Sequence, residues 1–494
     1  MVQKLKGVPQ TVDRAYSEFM AGRLVEAEML CRQVLGKHPN HADALHLLGL
    51  VAMRLERIDA ALELIGKAIQ FNPTIASFHA NYGLALARQG RWDEAIAVYF
   101  KALELRPDAP ETLHNLGIAY KTKGEFQKAE EYYRQALAIK PRFPECLADL
   151  ANTLHEIGEY DRSIEANLQA MAMLPDMPRA HWNLGITQLL KGELKQGWQN
   201  YEWRWKVREL PLPPNAFKRP NWQGESLRGK HLVLYQEQGW GDVIQMIRFV
   251  PRLIEMGAEI SIACEQLLHR ALAGIGPVKH WIANLGRLPE FDVRCPLMSL
   301  PHRLGTTLET IPAKIPYLRA DSAMSEQWRN RIAEKSSGLK VGLVWAGRPE
   351  HLSDRRRSIA LAMLAALAAA GNVSFFSLQK GAPSAQARDG LAGVPITDWT
   401  EELNDFADTA ALMDNLDLII SVDTAPAHLA GALGKPIWVL MPYVPDWRWM
   451  LKRSDSPWYP TMRLFRQERM DQWQEPIARA AEELQKLASE AEQR

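Results

Sequence analysis

The sequence predicts two fold types in tandem: an α-helical repeat solenoid, then an α/β region with two parallel sheets. Two observations predict this order. Over the first two hundred residues, prolines recur every 34 positions, at Pro39, Pro73, Pro107, Pro141 and Pro175. Beyond about residue 230 that period ends, and apolar runs typical of buried strands alternate with amphipathic segments typical of helices. Alternating strands and helices favour parallel sheets.

Small residues repeat with the same period of 34. One set comprises Gly49, Gly83, Gly117, Ala151 and Gly185. A second set comprises Gly22, Gly90, Gly124, Gly158 and Gly192, and Glu56 interrupts it. Small side chains let paired helices approach closely, and the proline ends the second helix of each pair. The pattern resembles the tetratricopeptide repeat, a 34-residue unit of two antiparallel helices. It predicts a solenoid over 8–209, with full repeats at about 8–41, 42–75, 76–109, 110–143 and 144–177, and a degenerate sixth.

The sixth repeat degenerates into an aromatic segment with Trp198, Tyr201, Trp203 and Trp205. We expect these rings to pack against the following domain, as the end of a solenoid must be capped or docked. Asn81, Asn115 and Asn183 recur at or near one register, and they either reach a peptide in the groove or are solvated or structural. The repeats alone predict an interaction module with a protein partner.

A Pro-rich segment separates the repeats from the α/β region, because Leu210 to Asn215 cannot continue a helix. The predicted linker is 210–229, followed by α/β domains at 230–325 and 338–494. In the first domain we expect strands at 231–236, 259–263 and near 291–293, with helices at 243–256 and 265–274. In the second we expect strands at 339–345, 373–378, 416–422, 436–441 and 461–465, a buried Ala-rich helix at 358–371 and a last helix at 476–491.

The first candidate site follows the strand at 231–236. There Gly239, Gly241 and Asp242 form a Gly-rich turn that opens a helix, with Gln245 one turn further on. Such a turn presents backbone N–H groups and one carboxylate at the C-terminal edge of a parallel sheet, where open α/β proteins bind ligands. The alternative is a tight turn that Asp242 merely caps.

The second candidate site follows the strand at 416–422. Asp423 and Thr424 end that strand, Ala425 opens a helix, and His428 lies one turn along it. A helix N-terminus favours a diphosphate through its N–H donors and its dipole. The alternative is an N-cap with a structurally satisfied histidine.

Together the Gly-Asp turn and the stretch from Ser421 to Pro436 resemble the heptosyltransferase family, glycosyltransferase family nine, over about 230–470. The resemblance is closest to members fused to tetratricopeptide repeats. It implies the GT-B fold, in which two Rossmann-like domains face each other across a cleft. The C-terminal domain would bind the nucleotide-sugar and the N-terminal domain the acceptor.

The resemblance also assigns roles to residues. It implies that Asp242 is the catalytic base, with Gly239, Gly241 and Gln245 on the acceptor side. Asp423, Thr424, Ala425 and His428 match the donor-binding loop. The basic stretch Arg355 to Arg357 lies where the family places a positive charge on the donor phosphate. Because the family generally lacks these repeats and has a longer acceptor domain, neither the donor sugar nor the acceptor is assigned.

The residue chemistry suits an inverting transfer. A base must take the acceptor proton, and the leaving diphosphate needs positive charge or N–H donors. No two aspartates lie two positions apart, so a DxD metal motif is absent, and we expect a metal-independent enzyme with no cofactor beyond its nucleotide-sugar donor. Candidate donor contacts are Arg348, Arg356, Arg357, Gln379 and Lys380, although Arg355–Arg357 also suit a solvated loop. The aromatic loop 445–449 either packs against a nucleobase or sugar of the substrate, or packs within the core or as a lid.

Composition excludes several other classes. The net charge of +1 does not suggest a nucleic-acid binder. Four scattered cysteines predict reduced thiols and a cytoplasmic location, and no apolar run is long enough to span a membrane. A dinucleotide oxidoreductase is disfavoured because Gly239-Trp240-Gly241 lacks the third glycine of the fingerprint. The alternative to an enzyme is a repeat scaffold whose transferase-like half does not turn over.

Overall fold

Antiparallel helix pairs build the N-terminal region of the computed structural model, which describes residues 8–207, 218–284, 286–350 and 354–493. Each pair corresponds to one predicted repeat, so the predicted solenoid is confirmed. The helices are α1 (Val8–Met20), α2 (Leu24–Lys37), α3 (Ala42–Arg54), α4 (Ile58–Phe71), α5 (Ala76–Arg88), α6 (Trp92–Leu105), α7 (Pro110–Thr122), α8 (Phe126–Ile139), α9 (Pro144–Glu156), α10 (Tyr160–Met173), α11 (Pro178–Leu190) and α12 (Leu194–Tyr201).

The repeated glycines lie where the two helices of a pair touch. A Cβ added to Gly83 would lie 2.6 Å from the ring of Tyr99, and one added to Gly117 would lie 2.4 Å from the ring of Tyr133. Both tyrosines are buried. Aromatic rings on the second helix therefore fill the space that the missing side chains leave on the first helix.

The turn between the helices of each pair requires a left-handed backbone. Gly90 and Gly124 have φ of 74° and 81° there. Glu56, which interrupts the glycine set, adopts the same conformation, with φ of 58°. The geometry of the repeat thus sets this turn. In the second pair, between α3 and α4, it imposes a left-handed conformation on a glutamate, a residue that rarely adopts one.

The chain packs into two units that divide between Asn183 and Leu184, within α11. The second unit therefore includes α12 and the 3₁₀ helix Glu202–Lys206 as well as the α/β region. Trp198 of α12 packs edge-on against Trp447, with 4.9 Å between ring centroids. The aromatic segment thus packs on the α/β body as expected. The predicted linker 210–229 lies partly outside the described residues, and the predicted domain boundaries stay predictions.

The first sheet of the α/β region has four parallel strands in the order β3-β2-β1-β4. The strands are β1 (His231–Tyr235), β2 (Glu259–Ala263), β3 (Val278–Ile282) and β4 (Val293–Pro296). The helices are α13 (Trp240–Met246), α14 (Val250–Glu255), α15 (Gln266–Leu272), α16 (Leu300–Arg303) and α17 (Ser322–Ala333). Strand β1 is buried along its whole length. The turn after it, which carries Asp242, therefore stands on a rigid central strand.

The second sheet has six parallel strands in the order β10-β9-β8-β5-β6-β7. The strands are β5 (Leu339–Val344), β6 (Val373–Ser377), β7 (Ile396–Asp398), β8 (Leu418–Val422), β9 (Ile437–Met441) and β10 (Met462–Arg466). The helices are α18 (Asp354–Arg357), α19 (Phe406–Asp414), α20 (Ala425–Ala432) and α21 (Gln474–Glu492). The strand order reverses between β5 and β8, so the loops after these two strands meet at a topological switch point. Two such parallel sheets after a helical solenoid agree with the predicted GT-B architecture.

Three local predictions need correction. The helix expected at 243–256 begins at Trp240 and is interrupted by a 3₁₀ turn at Ile247–Phe249, because Pro251 cannot donate a helical hydrogen bond. The Ala-rich segment is a 3₁₀ helix, Leu361–Ala370, whose buried residues recur every third position. Strands β3 and β7 were not predicted, because both lie at sheet edges and are only partly buried, which weakens the apolar signal.

Candidate functional site

Asp242 lies in the first turn of α13, directly beyond the C-terminal end of β1. Gly239 is the N-cap residue of this helix, and a Cβ added there would lie 3.3 Å from the Asp242 carboxylate. The carboxylate therefore lies over the glycine. No side-chain cap hydrogen bond is formed at the N-cap position.

Arg448 is the partner of Asp242, from a loop 206 residues further along the chain. Its guanidinium donates to the Asp242 carboxylate, to Asp446 at 2.7 Å and to the side-chain oxygen of Gln245 at 2.7 Å. Burial lowers the pKa of Arg448, but the negative charges of Asp446 and Asp242 outweigh burial and raise it. Arg448 is therefore a permanent buried cation that orients Asp242.

Gln245 is fully buried at this contact. Its oxygen accepts from Arg448, whereas its side-chain nitrogen has no hydrogen-bond partner among the described residues. The residue predicted for the acceptor side thus orients the arginine beside Asp242.

The second predicted loop faces the first. Helix α20 packs against α13, and a Cβ added to Gly241 would lie 2.7 Å from the imidazole of His428. Gly241 is therefore required for the close approach of the two helices. His428 bonds the Tyr459 hydroxyl at 2.9 Å. Burial, reinforced by nearby arginines, lowers the pKa of His428 far below its usual range, so the imidazole is neutral.

Asp423 directly follows the last residue of β8, Val422, beside this contact. Burial, with the charge of Asp446, raises the pKa of Asp423 to about 6. Arg357 donates to the Asp423 backbone oxygen at 2.9 Å. Thr424, the N-cap residue of α20, is buried and donates its hydroxyl to the Val422 backbone oxygen at 3.2 Å.

The N-terminus of α20 offers fewer donors than its sequence pattern predicts. Ala425 is the first helical residue, but Pro426 has no N–H, and the N–H of Ala427 donates to the Thr424 backbone oxygen at 3.0 Å. A diphosphate at this position would therefore depend mainly on side-chain cations.

The predicted arginines divide between two surroundings. Arg357 lies next to Asp423, and Arg348 stacks over the ring of Trp240, with its guanidinium carbon 3.6 Å from the ring centroid. The structure thus brings both close to the facing loops. Arg356 lies beside Asp471 instead, and burial lowers its pKa.

Gln379 and Lys380 serve the surrounding loops. The Gln379 side chain is buried and exchanges hydrogen bonds with the backbone of Trp345, Ala346 and Lys380 at 2.8–3.0 Å. The Lys380 ammonium donates to the backbone oxygens of Thr400 and Leu403. Their predicted contact with a base or ribose has no support in this geometry.

Arg248 joins the two α/β halves and was missed by the sequence reasoning. It follows α13 and donates to the Trp458 backbone oxygen at 2.6 Å and to the Tyr317 hydroxyl at 3.0 Å. The Tyr317 hydroxyl in turn donates to the Ile244 backbone oxygen at 2.9 Å. No local motif indicates this role, because the partners come from distant segments.

The repeat groove has its own buried charge at the predicted asparagine register. Asp149 occupies this register between Asn115 and Asn183, and it accepts hydrogen bonds from His114, Lys121 and Arg179 at 2.9–3.1 Å. Burial opposes ionisation, but these donors hold the pKa of Asp149 well below its usual range.

Two of the predicted groove asparagines are engaged within the repeats. Asn81 contacts the His46 ring at 2.9 Å, and Asn183 donates to the Ala148 backbone oxygen at 3.2 Å. These two side chains therefore bind other residues of the repeats, as the structural alternative predicted.

No helix in the described part of the chain is long and apolar enough to cross a membrane. Within the same ranges, no three or more histidine, cysteine, aspartate or glutamate side chains are grouped as a metal site.

Family models match both parts of the chain. The tetratricopeptide repeat matches residues 74–142 and 122–181, and the anaphase-promoting complex, cyclosome, subunit 3 matches 20–102. Glycosyltransferase family 9 (heptosyltransferase) matches 362–444, which includes β8, α20 and Asp423. The chain carries tetratricopeptide repeats and a glycosyltransferase family 9 domain.

Similar proteins are known for most of the length. Protein FlbA of Caulobacter vibrioides is 27% identical over 323 residues, which cover 61% of this chain and 54% of that protein. The chain thus spans about half the length of this curated relative. Among solved structures, Pseudomonas aeruginosa PilF is 19% identical over 41% of this chain and 92% of that chain, with a TM-score of 0.38. MamA is 22% identical over 35% of this chain and 93% of that chain, with a TM-score of 0.30.

Proposed function

We propose that the α/β region is a metal-independent, inverting glycosyltransferase that moves a sugar from a nucleotide-sugar to an acceptor hydroxyl. The observation that carries this proposal is the contact between the facing loops. The Asp242 carboxylate, beyond the end of β1, accepts a hydrogen bond from Arg448. The charge of Arg448 also acts on Asp423, which follows β8. The family 9 match over the segment that contains Asp423 supports the same reading.

Asp242 is the base in this proposal. The acceptor oxygen attacks the anomeric carbon, its proton passes to the Asp242 carboxylate, and the bond from that carbon to the diphosphate breaks. Arg448 orients the carboxylate before the acceptor arrives. Because an ion pair weakens a base, the acceptor hydroxyl must draw Asp242 partly away from Arg448.

The leaving diphosphate takes the bond's electron pair and gains negative charge. Arg357, next to Asp423, and Arg348, on the Trp240 ring, are the cations that the fold holds near this position. Arginine suits this role because its planar fork matches phosphate oxygens. Neutral His428 contributes shape and packing rather than charge.

The helical repeats recruit the acceptor or a partner protein in this proposal. Stacked repeats form extended binding surfaces, and the groove register carries the buried Asp149 with Lys121 and Arg179 around it. Mass spectrometry of proteins that co-purify with the full chain, searched for an added sugar mass, tests this part. If the co-purifying proteins never carry an added sugar mass, the repeats bind partners that are not acceptors of the transfer.

Nucleotide release decides whether the region is an enzyme. The purified chain is incubated with a panel of UDP-, GDP-, ADP- and CMP-sugars, with and without EDTA, and the freed nucleotide is measured. We expect release from at least one donor, unaffected by EDTA. Asp242→Asn should lower the rate at least about 100-fold. Asp43→Asn, which changes a first-turn aspartate of α3, is the matched control and should have no effect.

The second candidate function is a repeat scaffold with a non-catalytic transferase-like domain. The observation that favours it is the engagement of Asp242 by a buried arginine, which would suit a purely structural ion pair. Thermal shift with UDP, GDP, ADP and CMP separates the two. Binding without turnover supports the scaffold, and binding of none of these nucleotides rejects the transferase.

A further inference from the structure

The 3₁₀ helix after α12, Glu202–Lys206, inserts a buried arginine into the α/β body. The Arg204 side chain is 2% exposed. It makes a bidentate contact with Glu237, at 2.7 Å and 3.2 Å. Glu237 lies in the loop between β1 and α13, five residues before Asp242. The end of the repeat region therefore holds the loop that leads into the proposed base.

Every nitrogen of the Arg204 guanidinium has a partner. Besides Glu237, it donates to Glu202 at 2.8 Å, to the Tyr201 backbone oxygen at 3.2 Å and to the Ser299 hydroxyl at 2.9 Å. A planar fork with all its donors used has one orientation. The position of Glu237 is correspondingly defined.

Tyr201, the last residue of α12, reaches both loops of the site. Its hydroxyl accepts from the Gln238 side chain at 2.7 Å, and its ring lies 6.4 Å from that of Trp447. Trp198, one turn earlier in α12, packs on the same tryptophan. Trp447 immediately precedes Arg448, so one short segment contacts both sides of the Asp242–Arg448 pair.

We infer that residues 198–204 are a positioning element of the transfer site, in which Arg204 and Tyr201 set the relative position of Asp242 and Arg448. The inference rests on the proposed function. The last repeat then helps to position the residues of the transfer site, in addition to any role of the repeats in recruiting a partner. None of these side chains needs to touch substrate; they act through the two loops.

Hydrogen–deuterium exchange and steady-state kinetics of the full chain test the inference together. In Arg204→Met, we expect faster exchange in peptides covering 236–242, because Glu237 loses its partner, and a smaller increase in 446–449, because Arg204 stacks on the Tyr201 ring that packs against Trp447. We expect kcat to fall about 10- to 100-fold, since a misplacement of about 1 Å can have this effect. KM for the nucleotide-sugar should change less than about twofold, because the donor loop is untouched.

Two further variants keep the test decisive. Tyr201→Phe removes the hydroxyl that accepts from Gln238 and keeps the ring, so it should fold even if Arg204→Met does not. We expect faster exchange in 236–242 and a smaller fall in kcat, with exchange in 446–449 unchanged because the ring still packs on Trp447. Lys206→Met is the matched control, because Lys206 stacks on Trp203 and belongs to the same 3₁₀ helix; we expect no change.

Unchanged exchange in both loops, or faster exchange with an unchanged kcat, would overturn the inference. A rise in KM with a constant kcat would also overturn it. Absence of turnover in the unmodified chain is a distinct result, because it rejects the proposed function itself and the inference with it.

Discussion

Replacing Glu237 by glutamine should change how stability depends on pH. Glu237 is buried beside Arg204, and its side chain is 6% exposed. Burial raises the pKa of Glu237 from 4.5 to about 7, because the charge of Arg204 offsets it only in part. Arg204 also pairs with Glu202, so one cation serves two carboxylates.

The sign follows from the proton balance. Between pH 4.5 and about 7 the folded chain holds a proton on Glu237 that the unfolded chain has released. The free energy of unfolding therefore falls as the pH rises through this window, and it levels off above it. The interval from 4.5 to about 7, at about 1.4 kcal/mol for each pH unit, amounts to about 3 kcal/mol. Glu237→Gln removes this titration, so the variant should gain stability relative to the unmodified chain by up to that amount.

Thermal unfolding of both proteins from pH 4.5 to 8 measures the difference. At roughly 2 °C or less for each kcal/mol in a domain of this size, the melting temperature of Glu237→Gln should rise relative to that of the unmodified chain by roughly 3–6 °C over this range.

Glu202→Gln is the matched control, because it changes the other carboxylate on the same arginine. Burial opposes ionisation of Glu202, but Arg204 and its other partners lower its pKa below 4.5. The stability contribution of Glu202 is therefore lost only as the pH falls below that range. Because the charge of Glu202 also raises the pKa of Glu237, the stability difference between Glu202→Gln and the unmodified chain should change less from pH 4.5 to 8 than the difference for Glu237→Gln. A flat difference for Glu237→Gln, or one of opposite slope, would refute the reasoning.

Four further substitutions have defined outcomes. Arg448→Met leaves two carboxylates without their buried cation and should cost about 3–5 kcal/mol, seen as a lower midpoint in urea unfolding; an unchanged midpoint would mean that water replaces the cation. Gly241→Ala places a Cβ 2.7 Å from the ring of His428, so it should push α13 from α20 and lower nucleotide turnover at least about tenfold, and full activity would contradict that contact. Gly117→Ala places a Cβ 2.4 Å from the Tyr133 ring and should lower the free energy of unfolding by about 1–3 kcal/mol. Gly36 lies in α2, and a Cβ added there has no atom within 4 Å, so Gly36→Ala should raise the free energy of unfolding by about 0.5–1 kcal/mol. Calorimetry of both variants checks these opposite signs.

The helical half was predictable because its information is local. Each repeat needs small residues where its own two helices touch and a left-handed turn between them, as at Gly83 and Gly90. These requirements recur within 34 residues, so they appear in the sequence as a period. The central strands were equally visible, since β1 and β8 are buried along their length and read as apolar runs.

The two loops of the candidate site were also predictable, because each is a strand, a turn and a helix start in one stretch. Their partners were not. Arg448 lies 206 residues from Asp242, and it was hidden in an aromatic loop that suggested packing. In the same way, the hydrogen bonds that occupy Gln379 are visible only once β5 and β6 are adjacent.

The sequence by itself therefore determined the repeat architecture, the two parallel sheets and the two strand-end turns that face each other. Only the tertiary structure decided which charges meet there: Arg448 on Asp242, and Arg204 on Glu237. The physical reason is that backbone periodicity is set by neighbours within a few turns. A buried ion pair instead depends on which distant side chains the completed fold excludes from water together.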